Sequence, residues 1–316
     1  MNDYKKCNLC DGTNYDPISS LDRHGQALNT VICVNCGLVQ TQPMPSEVEM
    51  AEFYRLEYRK RYKKTPTPPM KHIYRSGHRC LARLEKAKAH IKPDMQAVDL
   101  GSGAGEFVFL LKTRGVKAKG IEPSEGYGGF AKIVLGLDIQ LKPIEKAKIK
   151  EESLDIITAH HVIEHMVDPL KSFQTLAKWL KPGGKILAEV PNINSRMHAP
   201  SRRFHFAHIY NFSPETFASL GKKAGLDVEE IQIEPGTEHI FAVFTKSGQD
   251  NVQVDLEQGL SKTRNILKKH TKFSHHLSAY PYSRFFNNLQ RPFREKIAIS
   301  GQTDPKELLQ KIYDNG

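Results

Sequence analysis

The nine residues Ala97-Val-Asp-Leu-Gly-Ser-Gly-Ala-Gly105 constrain this chain more than any others. A short apolar run ends in glycines at 101, 103 and 105, and an amphipathic segment from Glu106 to Arg114 follows. That order predicts a strand, a tight turn and a helix. Glycine is needed where a backbone turns sharply and must approach a ligand with no Cβ in the way. The helix N-terminus behind such a turn presents unpaired N–H groups. About twenty residues on, Val116 to Glu122 reads as a second strand ending in an acid, placed to accept hydrogen bonds from a ribose. Together they predict a nucleoside-cofactor site at the first crossover of a parallel sheet.

The remaining pattern extends that sheet. Ile139–Leu141, Leu154–Ala159 and Lys185–Val190 read as further strands, with helices over Ser124–Leu135 and Pro169–Leu180. Lys181-Pro-Gly-Gly184 stops the second of these helices. Ser213-Pro214 opens another and Gly225 ends it. Asp227–Ile233 and Ile240–Thr245 are two late strands joined by a Pro-Gly turn. The expected fold is α/β: a doubly wound, Rossmann-like, mostly parallel seven-stranded sheet with at least one antiparallel strand. Around it the sequence places a small zinc-binding module at 1–45 and a basic helical linker at 46–72. The main domain runs over 73–247, and a basic helical C-terminal extension over 248–316.

The first module rests on Cys7-Asn-Leu-Cys10 and Cys33-Val-Asn-Cys36, with Gly12 and Gly37 just behind them where the chain must turn. Two such pairs give closed tetrahedral coordination of a structural zinc ion by four thiolates. The fifth cysteine, Cys80, lies on the apolar stripe of a helix over Ile73–Ile91 and reads as core. This cysteine usage, with no apolar leader and no run long enough to span a membrane, predicts a cytoplasmic protein. Net charge is +11. Residues 55–92 hold thirteen Lys and Arg against Glu57 and Glu85, which matches the whole excess. Such a block attracts phosphates, nucleic acid or acidic surfaces, or forms a solvated helix face.

Four segments now resemble one family, the class I S-adenosylmethionine-dependent methyltransferases. They are Val98–Gly105, Gly120-Ile-Glu-Pro-Ser124, His161-Val-Ile-Glu-His165 with Asp168-Pro169, and Leu180-Lys-Pro-Gly-Gly184. The resemblance covers about 85–246. Glu106 stands where a dinucleotide-binding fingerprint wants its third glycine. The resemblance implies that Gly101, Gly103 and Gly105 pass beneath the methionine and ribose of S-adenosylmethionine. Asp99 then holds the loop or the cofactor's amino group, and Glu122 takes the ribose hydroxyls. Ile144 and Glu145 flank the adenine, and His160 and His161 line the methionine end. The four-cysteine module followed by Pro43-Met-Pro45 and a Tyr/Arg-rich helix is similar to a branch that modifies small molecules, often nucleotide-linked sugars or surface glycans. Its sugar C-methyltransferases carry Tyr-x-Glu-His. Here the match is His205-Phe-Ala-His208, so O-, N- and C-methylation all stay open.

Methyl transfer to a hydroxyl needs a group that removes a proton. His208 is the preferred base and His161 the second candidate. Arg196, Arg202 and Arg203, with His205 and Tyr210, form the expected substrate set, suited to a phosphate-bearing small molecule. His161-x-x-Glu164-His165 also spells a zinc-protease pattern, discounted because that chemistry needs a helix and this copy follows a strand. Tyr280–Phe286 mixes aromatic and basic residues, which points to packing on the main domain or a dimer partner ahead of nucleic-acid stacking. The alternatives left open are an RNA or protein methyltransferase that docks through the zinc module and basic stretch, and a non-catalytic zinc-containing binding protein. A homodimer is also left open.

Overall fold

The computed structural model describes residues 4–54, 65–246 and 253–316, apart from the side chains of Ala51 and residues 283–290. Part of the basic block (Arg55, Arg59, Lys60, Arg61, Lys63 and Lys64), with the rest of residues 55–64 in the helix expected from Ser46, lies outside the described residues. Of that helix α1, Glu47–Glu52, is seen. Seven strands form one sheet in the order β10-β11-β8-β7-β4-β5-β6. They are β4 (Gln96–Leu100), β5 (Lys117–Ile121), β6 (Ile139–Gln140), β7 (Leu154–His160), β8 (Leu180–Val190), β10 (Asp227–Ile233) and β11 (Ile240–Thr245). β4 pairs in parallel with β5 and β7, β5 in parallel with β6, and β10 antiparallel with β11. The expected mixed, mostly parallel sheet is present. One boundary differs: β8 starts at Leu180 and runs through Lys181-Pro-Gly-Gly184 instead of after it. A backbone bond from Ser153 N–H to the Trp179 carbonyl, 3.0 Å, already ties this segment to the start of β7.

The chain divides into two compact units that cut across sequence order. One holds residues 48–159, 179–185 and 286–316. In it α3 (Glu106–Thr113) is buried along nearly its whole length beside β4, because Phe107, Val108, Leu110 and Leu111 leave no polar face to expose. α2 (Met70–Ala87) is amphipathic and buries Ile73, Gly77, Cys80 and Ala87. Burial pushes the Cys80 thiol up to about 12, so it is an inert core residue as expected. The last helix, α10 (Pro305–Asp314), is capped by Asp304 and lays Leu308, Leu309, Ile312 and Tyr313 on α2. Gly77 permits that approach, since a Cβ there would stand 3.1 Å from both Ile312 and Leu309.

The other unit holds residues 1–47, 160–178 and 186–285. A four-stranded sheet runs β1 (Tyr15–Leu21), β2 (Ala27–Cys33), β3 (Val39–Thr41) and β9 (Tyr210–Asn211). Its last strand comes from the long segment after β8, pairing Val39 with Asn211 and Gln40 with Tyr210. Leu28, Ile32 and Val39 share a core with Ile193 and Phe204 from that segment. Leu260 and Leu267 of α7 (Leu256–Lys269) pack against it. So the N-terminal hairpin, the segment after β8 and the first helix of the extension bury one another. α6 (Pro214–Lys223) opens on a capping box between Ser213 and Thr216, as the Ser-Pro signal predicts. Among the described residues no helix is long and apolar enough to cross a membrane.

Packing of the extension is therefore seen in both units. The Tyr313 hydroxyl, 1% exposed, donates to the Glu106 carbonyl at 2.8 Å. Tyr313→Phe removes that buried hydrogen bond and is expected to cost about 1–2 kcal/mol, read as a lower urea midpoint with an unchanged slope.

Candidate functional site

The glycine turn lies in the unit that holds α2, α3 and α10. β4 delivers the chain to Gly101, and Gly101, Gly103 and Gly105 have φ of +60°, +58° and +83°. Two of the three are needed for different reasons. A Cβ on Gly105 would stand 2.5 Å from Leu137 and 2.9 Å from Ala131, so that residue is held by packing. A Cβ on Gly103 would meet nothing within 4 Å, so it faces open space. Glu122, 3% exposed, closes the turn from the end of β5. One carboxylate oxygen accepts Gly103 N–H at 2.8 Å and the other accepts Ser124 N–H at 2.9 Å. Asp99, buried in β4, accepts the Thr158 hydroxyl at 2.6 Å and so ties β4 to β7. Ser102 Oγ is buried with no hydrogen-bond partner. Ile144 and Glu145 sit on a short 3₁₀ turn over Ile144–Lys146, the first half-buried and the second exposed.

These features fit a nucleoside cofactor. An orphaned hydroxyl, an open cradle under Gly103 and a buried carboxylate that fastens the loop are concentrated on one turn. Leu100 pairs with Ala159, so β4 and β7 end level, at the carboxyl edge where such sheets bind ligands. His160 is the last residue of β7.

In the other unit the structure gathers histidines that are far apart in sequence. His161 has φ +57° and donates from Nε2 to Glu189 at 2.8 Å. Its Nδ1 stands 3.4 Å from Glu164 Oε1. His165 Nε2 and His208 Nε2 lie 3.7 and 3.9 Å from the same oxygen. The His205 and His208 rings are tilted against each other with centroids 3.8 Å apart, and His239 meets His161 edge-on at 4.5 Å. Burial opposes charge on His161, but Glu164 and Glu189 outweigh it and push the ring up to about 9. Burial and the neighbouring rings of His205 and His165 hold His208 well below the usual imidazole range. Burial also opposes charge on Glu164, yet His165 and His161 keep it below the usual carboxylate range.

His161, His205 and His208, expected from sequence, are thus brought together. Glu164, His165, Glu189 and His239 join them and were not expected in the site. Glu189 carried a signal: it is an acid inside the apolar run Ile186–Val190. The substrate set is dispersed. Arg196 and Arg202 are exposed, Arg202 on a 3₁₀ turn over Pro200–Arg202. Arg203 is drawn in and donates to His270 Nδ1 at 2.7 Å. Burial lowers the Arg203 guanidinium to about 10. Tyr210 is buried in β9, and its hydroxyl donates to the Val167 carbonyl at 3.1 Å.

The four cysteines of the hairpin module also converge. All four sulfurs lie within 4.8 Å of one another, with Cys7–Cys36 at 3.6 Å and Cys10–Cys33 at 3.4 Å. These separations exceed a disulfide bond of about 2.05 Å. They approach the edge of about 3.8 Å in a tetrahedron with bonds of about 2.3 Å. One detail corrects the sequence expectation. The left-handed residue after the first knuckle is Asp11 (φ +59°), not Gly12, because Asp11 N–H bonds back to the Cys7 carbonyl at 2.9 Å. Gly12 instead makes room for Asn35, which a Cβ would approach to 2.9 Å.

The family description "Methyltransferase domain" matches residues 70–231, just over half of the chain. The chain belongs to the methyltransferase-domain family. Its seven-stranded sheet is that of the class I S-adenosylmethionine-dependent methyltransferases. This methyltransferase is 25% identical over 190 residues to a ubiquinone biosynthesis O-methyltransferase of Stutzerimonas stutzeri, covering 57% of this chain and 72% of the relative. It is 27% identical over 155 residues to phosphoethanolamine N-methyltransferase 1 of Arabidopsis thaliana, covering 46% of this chain and 28% of that protein. In fold it is similar to the 1,6-didemethyltoxoflavin-N1-methyltransferase of Burkholderia thailandensis, solved with its substrate and S-adenosylhomocysteine. That match has a TM-score of 0.52, 14% identity, 68% of this chain and 98% of the other.

The packing around Gly105 gives a direct check. Gly105→Ala adds a strained left-handed residue and an overlap with Leu137, and is expected to destabilise the chain by about 2–4 kcal/mol in denaturant titration.

Proposed function

We propose that this methyltransferase moves the methyl group of S-adenosylmethionine to a small hydroxylated or amino acceptor, a sugar or a nucleotide-linked sugar. The single observation that carries the donor side is Glu122, whose buried carboxylate pins Gly103 and Ser124 beside the open cradle of the glycine turn. S-adenosylmethionine supplies an electrophilic methyl on a sulfonium. The chain's own part is to hold, orient and move a proton. Gly103 offers close approach of the backbone, and Ser102 Oγ offers an unused donor and acceptor. Asp99 keeps the loop fixed through Thr158. Ile144 and Glu145 lie on the turn expected beside the adenine, and His160 and His161 follow β7 toward the methionine end.

On the acceptor side, His208 is the central nitrogen of the group that activates the acceptor. It lies between His205 and His165, beside the buried Glu164 carboxylate. His161, already hydrogen-bonded to Glu189, fits an orienting role better than that of a base. The arginines of the segment after β8 suit a phosphate: Arg203 is drawn in with no carboxylate partner among the described ion pairs, and Arg196 and Lys269 line a neighbouring cleft. Two relatives named for small-molecule O- and N-methylation support an acceptor of that size. The four cysteines hold a structural zinc ion, closed to substrate because four thiolates complete its shell.

Two variants separate donor from acceptor. Gly103→Ala fills the cradle at a backbone cost of about 1 kcal/mol, so it folds but loses tenfold or more in S-adenosylmethionine affinity by calorimetric titration (~1.4 kcal/mol per tenfold). His208→Ala keeps that affinity within about twofold and loses about 10²–10⁴ in kcat against the best acceptor from a nucleotide-sugar screen. Full activity in His208→Ala rejects its role, and undiminished cofactor binding in Gly103→Ala rejects the cradle.

A further inference from the structure

The Glu164 carboxylate is fully buried, and neither of its oxygens has a hydrogen-bond partner. A buried charged group left without hydrogen bonds costs several kcal/mol and calls for a water or an ion. Its Oε1 is ringed by three imidazole nitrogens at 3.4, 3.7 and 3.9 Å, from His161, His165 and His208. These separations are long for hydrogen bonds. They do suit two ligands of one ion, since bonds of about 2.0–2.2 Å place tetrahedral ligand atoms about 3.3 Å apart and wider angles more. His165 shows the supporting contact such a ligand needs. Its Nδ1 donates to the Ala207 carbonyl at 2.6 Å, which directs the lone pair of a neutral ring to Nε2, the nitrogen facing Glu164. His161 is already committed through Nε2 to Glu189, so it stands behind Glu164 as a support.

We propose that Glu164, His165 and His208 hold one divalent transition-metal ion, zinc by its ligand set, with open positions for the acceptor. The three ligand atoms lie within 4.8 Å of one another. Two imidazoles and one carboxylate are a catalytic ligand set, unlike the closed four-thiolate set of the hairpin module. The carboxylate side is sealed, while the rings of His165 and His208 are 13% and 19% exposed, so the coordination shell opens on their side. The zinc-protease reading of the motif pairs His161 with His165 on a helix. Here a 3₁₀ turn over Ile163–His165 pairs Glu164 with His165 and recruits His208 from forty-three residues away. The inference rests on the proposed acceptor activation at His208 and gives it a means: an acceptor oxygen bound to a Lewis acid loses its proton near neutral pH, to solvent. No electron is transferred in that step.

The test uses the full chain, stripped of metal and titrated with Co²⁺. The wild type takes up about two ions per chain. One gives the strong thiolate charge-transfer absorption of a four-sulfur site. The other gives weaker bands without thiolate character. Glu164→Gln and His208→Ala each lose the second signal and keep the first, and Cys10→Ser loses the first and keeps the second. Wild type with thiolate bands alone, or with a second signal that survives Glu164→Gln, overturns the assignment. Where a variant does not fold, the wild-type spectrum decides by itself. S-adenosylmethionine titration on the same samples keeps the two readings apart: cofactor binding without the second signal rejects the metal alone. The second signal without methyl transfer to any hydroxyl or amine rejects the acceptor chemistry and leaves the metal site standing.

Discussion

A carboxylate can be buried only where something answers its charge, and much of this structure follows from how that is done at Glu122. Its two oxygens take the N–H groups of Gly103 and Ser124. A carboxylate–amide bond is stronger than an amide–carbonyl one, so the turn after β4 is fastened to the turn after β5. The left-handed glycines become affordable in that setting, because the strain is held by a bond that the unfolded chain lacks. The turn keeps its shape without a ligand, which lowers the ordering cost of binding one.

Glu164 and Glu189 solve the same problem differently. Glu189 sits in β8 and is met by His161 at 2.8 Å and His239 at 3.4 Å. Glu164 is met by rings that stand too far off to hydrogen-bond. Side-chain partners can rearrange or exchange for an ion or a substrate, and backbone partners cannot. The turn after β4 is therefore built rigid, and the histidine cluster is held by partners that can rearrange.

The sequence was legible where the physics is local. Short apolar runs and turn signals located β4, β5, β7, β10 and β11, and Ser213-Pro214 marked the start of α6 to the residue. Residues 55–64 of the basic block, which spans 55–92, lie outside the described residues. What escaped was long-range. β9 has two residues, too few for any periodicity, yet it completes the hairpin sheet from 170 residues away. β8 begins at Leu180, ahead of the Pro-Gly-Gly signal, and runs through it. Glu164, His165 and His239 went unassigned for the same reason: each was in view as a residue, and only tertiary contact turns them into a site.

This difference bears on why one half of a methyl-transfer reaction can be read from such a chain and the other half resists. A donor common to a large family can be bound by backbone amides and one carboxylate, so its site is written in consecutive residues around a strand end. An acceptor is distinguished by side chains that must come from several elements. In the proposed site they come from the end of β7, the segment after β8 and the turn before β11, and the short pairing of β3 with β9 helps to fix that segment's course. The hairpin module is then more than an appendage. Its core residues Leu28, Ile32 and Val39 pack on Ile193 and Phe204, and Phe204 directly precedes His205. A metal ion that shapes the hairpin through four cysteines would, through that packing, also shape the segment that carries His205 and His208.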